Sequence, residues 1–486
     1  MDSLRMPPQG LKELYDYPHL FRPFLKAYGL GFLYYLGPRI FGLVCSKVKQ
    51  KISSKKNSVV SPAIVDIFRK SSELHRFPAF CGVAIGGWHV LQPIFEKFLG
   101  TVGKFSESLG AEKTTGEQRR RVATFLASAS AAAAAIRQLN SRSVESPAGR
   151  TLDLTLFAVV RALDVVIGEI WARGEGARRV RSKTFTRLDG IIKSNVDVAV
   201  FAVSAAVIMF SWFYEPEKLP SSYNKWITGI AEADTRLITA LRRIRSGEFV
   251  YGKETGQAPL LQSLCEDLGL PKVWGDPAFT KRIPCELVHH GFSKSCELHA
   301  CWRFWNAWKA AFTMYLGLNF LVRLRNGLSV HTSLRAISDA AKSAAFLGAF
   351  VGTFWYTICL TRTRLGPLFW PQSDQLFLEN LCVKMGCLSC GWSILVEPAR
   401  RRLEMAFFVA PRALGTLMPR KYDRKHLWKE TLAFAVSAGI VFTALKENPK
   451  RRGFVERRRG IPQTISNQTV TSWGAYNRVI NFTYLI

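Results

Sequence analysis

The sequence predicts an all-α polytopic membrane protein, built as two tandem four-helix transmembrane repeats joined by a partly soluble segment. Three observations carry this expectation. Apolar residues make up 48% of the 486, and many of them fall in long runs. Basic residues exceed acidic ones, 67 against 36, and cluster between those runs. The stretch FAVSA occurs twice, at Phe201–Ala205 and Phe434–Ala438, each time inside an apolar run.

The runs come first. VDVAVFAVSAAVIMFSWFY (Val196–Tyr214) and SAAFLGAFVGTFWYTICL (Ser343–Leu360) are the strongest spans, since a helix rises about 1.5 Å per residue and must cross ~30 Å of hydrocarbon. Weaker candidates lie at Phe77–Leu99, Val122–Ile136, Leu152–Ala172, Leu381–Val396, Arg402–Met418 and Leu432–Leu445. Several are short or carry charges, which points to a bundle that shields polar groups.

The charge pattern separates two classes of partner. A net charge of +31 fits a nucleic-acid binder, but such proteins do not usually carry many apolar spans. Clusters such as Lys47–Lys56, Arg178–Lys183 and Lys450–Arg459 read instead as helix ends that face anionic lipid headgroups. Membrane lipids are therefore the expected partners, nucleic acid is not, and a homo-oligomer is allowed. No cleavable signal peptide is evident, because the first apolar stretch is interrupted by Pro38 and Arg39. The ten cysteines lie mostly inside or beside apolar runs, which favours reduced thiols over a secreted disulfide framework.

The repeat rests on three matched blocks in the same order. AFCGVAIG (Ala79–Gly86) matches AFLGAFVG (Ala345–Gly352). SPAGRTLDLTLFAVVRAL (Ser146–Leu163) matches EPARRRLEMAFFVAPRAL (Glu397–Leu414) at eight of eighteen positions. FAVSA follows in both. Each unit then holds four helices: one with a Gly-x-x-x-Gly face, one rich in small residues, one starting at Pro147 or Pro398, and one carrying FAVSA. The expected organisation is a basic N-terminal region (1–76), a first repeat (77–214), a connecting segment (215–342), a second repeat (343–446) and a polar tail (447–486). Within the connecting segment, Lys225–Gly247 reads as an amphipathic helix and WKAAFTMYLGLNFLV as one more apolar run.

Four sets of residues are candidates for a role. Gly82/Gly86 and Gly348/Gly352 put small residues on one face, where another helix can approach closely. Asp153 and Arg161 match Glu404 and Arg412 in the third helices. Charges within a membrane helix face a cavity, a partner or the interface, so these line a conduit or lock helices together. Cys285, His289, Cys296 and Cys301 are zinc-type ligands. They form either a metal site or, because no Cys-x-x-Cys pair is present, a loop entering a membrane helix with buried thiols or one local disulfide. No cofactor motif and no catalytic pairing is present, so the chain reads as non-enzymatic.

The blocks AFLGAFVG, SILVEPARRRLEMAFFVAPRAL (Ser393–Leu414) and PCELVHHGFSKSC (Pro284–Cys296) resemble the transmembrane protein 135 family of peroxisomal and mitochondrial membranes. That family's repeated unit is similar to the channel-forming subunits of mitochondrial inner-membrane import translocases. The resemblance covers most of Phe77–Lys446. It departs in its heavier basic loops and in placing the cysteine stretch between the repeats rather than in a separate N-terminal domain. It implies roles in lipid or cholesterol distribution, peroxisome function and mitochondrial dynamics, and brings no catalytic residue. The alternative is a transporter or channel-like conduit for a lipid, metabolite or polypeptide.

Overall fold

In hydrocarbon, a backbone must satisfy its own hydrogen bonds, and for apolar runs of this length the helix does so. The computed structural model describes residues 18–52, 66–69, 71–108, 115–141, 149, 151–181, 183–324, 329–371 and 375–447. Among these the chain is helical, without a strand. Four helical stretches are long and apolar enough to cross a membrane: Gly116–Asn140, Asn195–Tyr214, Val330–Phe369 and Arg424–Glu447. The N-terminal residues through 17, Pro147 and the tail from 448 lie outside the described residues.

The described residues divide into two compact units, one within Pro18–Lys183 and Arg420–Glu447, the other within Thr184–Pro419. The first contains α1 (Pro18–Ile52), α2 (Phe77–Ser108), α3 (Gly116–Asn140) and α4 (Leu152–Arg181). The second contains α5 (Lys183–Tyr214), α6 (Ser221–Ala231), α7 (Thr235–Ser246), α8 (Ala258–Asp267), α9 (Cys296–Leu324), α10 (Val330–Leu360), α11 (Gln375–Cys390) and α12 (Ala399–Thr416). The last of the described helices, α13 (Leu427–Glu447), returns to the first unit. The division thus differs from chain order. The FAVSA helix α5 packs with the second unit, and the FAVSA helix α13 packs with the first.

In the first unit, α3 begins at a capping box in which Thr115 and Gln118 exchange side-chain and backbone hydrogen bonds. Its buried stripe of Ala123, Ala127, Ala131 and Ala135 recurs every four residues and lets neighbours come close. One neighbour is α2, where a Cβ on Gly87 would sit 3.1 Å from that of Ala131. The other is α13, where a Cβ on Gly439 would meet the Phe125 ring at 2.6 Å. Phe434 of FAVSA packs on Phe80 of α2, with ring centroids 5.8 Å apart. The buried Glu430 of α13 accepts hydrogen bonds from Thr151, from Thr155 of α4 at 3.2 Å, and from Tyr422.

The second unit contains matching contacts. Phe201 of the other FAVSA packs on Phe346 of α10 at 5.8 Å. The paired glycines also behave alike. Phe24 of α1 fills the face of Gly82 and Gly86, and Phe304 of α9 fills that of Gly348 and Gly352. A Cβ would lie 2.6 Å from Phe24 Cβ at Gly86 and 2.9 Å from the Phe304 carbonyl at Gly348. All four expected glycines are therefore at helix contacts.

Two local expectations change. The stretch Lys225–Gly247 is two helices rather than one. Glu232 adopts a left-handed conformation (φ 44°), and Asp234 caps a new helix by accepting from Arg236 N at 2.7 Å. Pro398 is the cap residue just before α12 rather than its first helical residue. Large apolar side chains stay exposed along α1 (Phe21, Leu25, Leu30, Leu33) and α4 (Leu163, Ile167, Ile170), a surface of the kind that lipid or a partner covers.

Gly86→Ala is expected to destabilise the purified protein by about 1–3 kcal/mol, because α1 must move to admit the methyl. Gly29→Ala, with nothing within 4 Å of its Cβ, should be neutral or slightly stabilising. Thermal unfolding in detergent compares the two.

Candidate functional site

The second unit contains a partly open cavity of about 520 Å³. Its wall is largely apolar, with Phe201 and Ile208 from α5, Ile227 from α6, Phe350 and Phe354 from α10, and Phe408 from α12. Three charged residues also line it: Glu397, Arg401 and Glu404. Arg401 donates to Glu397 at 3.1 Å and to the Ser343 hydroxyl, while Arg402 donates to the Glu397 carbonyl at 2.7 Å. Burial pushes the Glu397 carboxyl above its ordinary value, against the opposing pull of Arg401. Trp355 lines the same cavity, and its buried indole N–H has no hydrogen-bond partner in the protein. An apolar wall with a few polar groups is what an apolar or amphiphilic ligand requires.

The charged residues of the third helices have separate surroundings. Asp153 and Arg161 are eight positions apart on α4, about 12 Å along the axis, too far to meet directly. Asp153 pairs instead with Arg420 at 3.2 Å, and Arg161 lies over the Phe157 ring at 5.5 Å. In the second unit, the buried Arg412 donates to the Phe408 carbonyl at 2.8 Å and lies over the rings of Phe408 and Tyr223. Glu404 lines the cavity, whereas Arg412 does not.

The cysteine/histidine stretch folds back on itself. Cys285 opens a single helical turn, Cys285–Val288. His290 (φ 55°) and Gly291 (φ 69°) then take left-handed conformations that reverse the chain, so that Cys296 begins α9 close by. The ligand atoms of Cys285, His289 and Cys296 lie within 4.8 Å of one another. Cys301 is exposed and does not belong to this group. A second group shares His289 and adds His299 of α9 and Cys359 of α10. His289 Nδ1 faces the Ser293 carbonyl at 2.7 Å, and its Nε2 faces Cys359 Sγ at 3.4 Å. Burial lowers the proton affinity of both His289 and His290, the latter to about 4, and raises that of Cys285.

Cys359 has no signal in its local sequence, where it reads as one more small residue of an apolar run. Just beyond it, Thr361–Leu365 forms a single wide π-helical turn, a feature that recurs at functional sites. This turn carries Arg362, which is buried and bonded to Glu379 of α11 at 3.0 and 2.6 Å. Tyr251 donates to the same carboxylate at 3.2 Å.

Removing one partner of that buried pair leaves the other uncompensated. Glu379→Leu should therefore cost about 3–5 kcal/mol, while the double replacement Arg362→Met/Glu379→Leu should recover most of the loss. Unfolding midpoints of the three proteins in one detergent measure this directly. No protein-family model, curated protein or solved structure matches the chain.

Proposed function

We propose that the chain is a non-enzymatic integral protein of a peroxisomal or mitochondrial membrane that holds a membrane lipid or sterol and supports lipid distribution and organelle dynamics. The observation that carries the reading is the cavity of about 520 Å³ with its Glu397, Arg401 and Glu404 side chains. An aliphatic body suits the Phe, Ile and Met wall, and a hydroxyl or headgroup acceptor suits the unpartnered Trp355 N–H. The four apolar helices supply the membrane setting. The basic clusters suit anionic headgroups. The organelle rests on the resemblance to the transmembrane protein 135 family alone.

The proposed architecture is a duplicated unit whose two copies exchange their FAVSA helices. Its support is reciprocal: Phe434 packs on the first copy's Phe80, and Phe201 on the second copy's Phe346. Both partner phenylalanines occupy the same place in the A-F-x-G block. A conduit lined by Arg161 and Arg412 draws no support from the cavity, whose wall contains neither.

A photoactivatable sterol and a photoactivatable fatty acid, offered to the purified chain in detergent, should label residues of the cavity wall, as read by peptide mass spectrometry. Met314→Trp and Val351→Trp, which place bulk in that wall, should cut labelling by about tenfold, worth about 1.4 kcal/mol of affinity. Labelling spread evenly over exposed apolar positions such as Leu30 and Ile170 would refute the reading. The helix exchange has its own test. Residues 1–214 should yield a stable first unit only when residues 420–447 are co-expressed, read as protease resistance.

A further inference from the structure

We propose that Cys285, His289, Cys296 and Cys359 form a closed Cys₃His zinc site that fastens the connecting segment to the end of α10. Three of these residues come from the folded-back stretch and the fourth from a helix 63 positions further along the chain. Thiolate and imidazole are the preferred donors for zinc, and four of them make a structural centre.

The geometry fits in several independent ways. Tetrahedral zinc with bonds of about 2.0–2.3 Å places a nitrogen and a sulfur ligand about 3.6 Å apart, and His289 Nε2 lies 3.4 Å from Cys359 Sγ. The other ring nitrogen of His289 meets the Ser293 carbonyl at 2.7 Å. A carbonyl only accepts, so the ring proton sits on Nδ1 and the lone pair of Nε2 faces the thiol. Metal-bound histidines are commonly oriented in this way. Cys285 and Cys296 lie within 4.8 Å of His289 and of one another, and Cys359 joins them through its contact with His289.

His299 is close enough to compete, but its proton is on the wrong nitrogen. Arg303 Nε donates to His299 Nε2 at 3.0 Å, and a guanidinium can only donate. The neutral His299 ring therefore carries its proton on Nδ1, which is buried and has no hydrogen-bond partner. It serves as a neighbour to the thiolates rather than as a ligand. Its ring stacks on that of His289, with centroids 4.2 Å apart, and so helps to hold the ligand in place. Arg362 adds a fixed positive charge that acts on Cys285. Cysteine ligation releases protons on metal binding.

The test is the zinc content of the full chain purified in detergent with a reductant and without chelator. About one zinc per chain is expected. Cobalt substituted for zinc should give intense thiolate-to-cobalt charge transfer and the visible bands of a tetrahedral centre. Cys285→Ser, His289→Ala and Cys359→Ser should each lower the metal content at least about tenfold, while Cys301→Ser should retain it. A protein that takes up no zinc after reconstitution overturns the proposal. So does a Cys285–Cys296 disulfide found in the native chain, or full zinc retention in Cys359→Ser. The cobalt spectrum of the unaltered chain reports the ligand set even where a variant fails to fold.

Discussion

A charge inside an apolar bundle must be met by groups from another element, and both units are arranged around that requirement. In the first unit, the carboxylate of Glu430 enters on α13 and is met by hydroxyls from Thr151, Thr155 and Tyr422. In the second, Arg362 and Glu379 neutralise one another between the end of α10 and α11, with Tyr251 on the same oxygen. Beside the cavity, Arg401 of α12 meets the Ser343 hydroxyl of α10 as well as the neighbouring Glu397. Such contacts specify which helix sits where, because apolar packing alone is non-directional. The glycine faces add shape. Phe24 and Phe304 fit where a methyl would collide.

The cavity and the cysteine/histidine cluster share α10. Trp355 borders the cavity, and Cys359 lies one turn further along the same helix. His299 and Arg303 pack against Trp355 from α9. The connecting segment is therefore structurally continuous with the wall of the apolar site, rather than a tether between two bundles.

Much of the architecture was legible in the sequence because apolar runs of span length have few ways to satisfy their backbone. The helices around FAVSA, the Gly-x-x-x-Gly faces and the start near Pro398 all follow from local pattern. Other features depend on contacts between separate elements. Asp153 finds Arg420, Glu379 finds Arg362, and Cys359 finds His289 across 70 residues. The first and third pairs lie far outside any local window, and Arg362 and Glu379, 17 positions apart, sit on different helical elements. The break at Glu232 was harder for a different reason. Amphipathic spacing continues through it, so the cap at Asp234 competed with a strong periodic pattern.

The return of α13 to the first unit also has a consequence for the order of synthesis. α1 to α4 emerge before the second unit, yet α13, which packs on Phe80 of α2 and Phe125 of α3, is made after it. Thr184–Pro419 intervenes, roughly 240 residues, or ~12–50 s at a translation rate of about 5–20 residues per second. By the end of that interval the described helices of the second unit are all made, whereas the first still has an open seat lined by alanine and phenylalanine. A premature stop before Leu427 would thus injure the N-terminal half of the molecule, by removing a helix on which α2 and α3 pack.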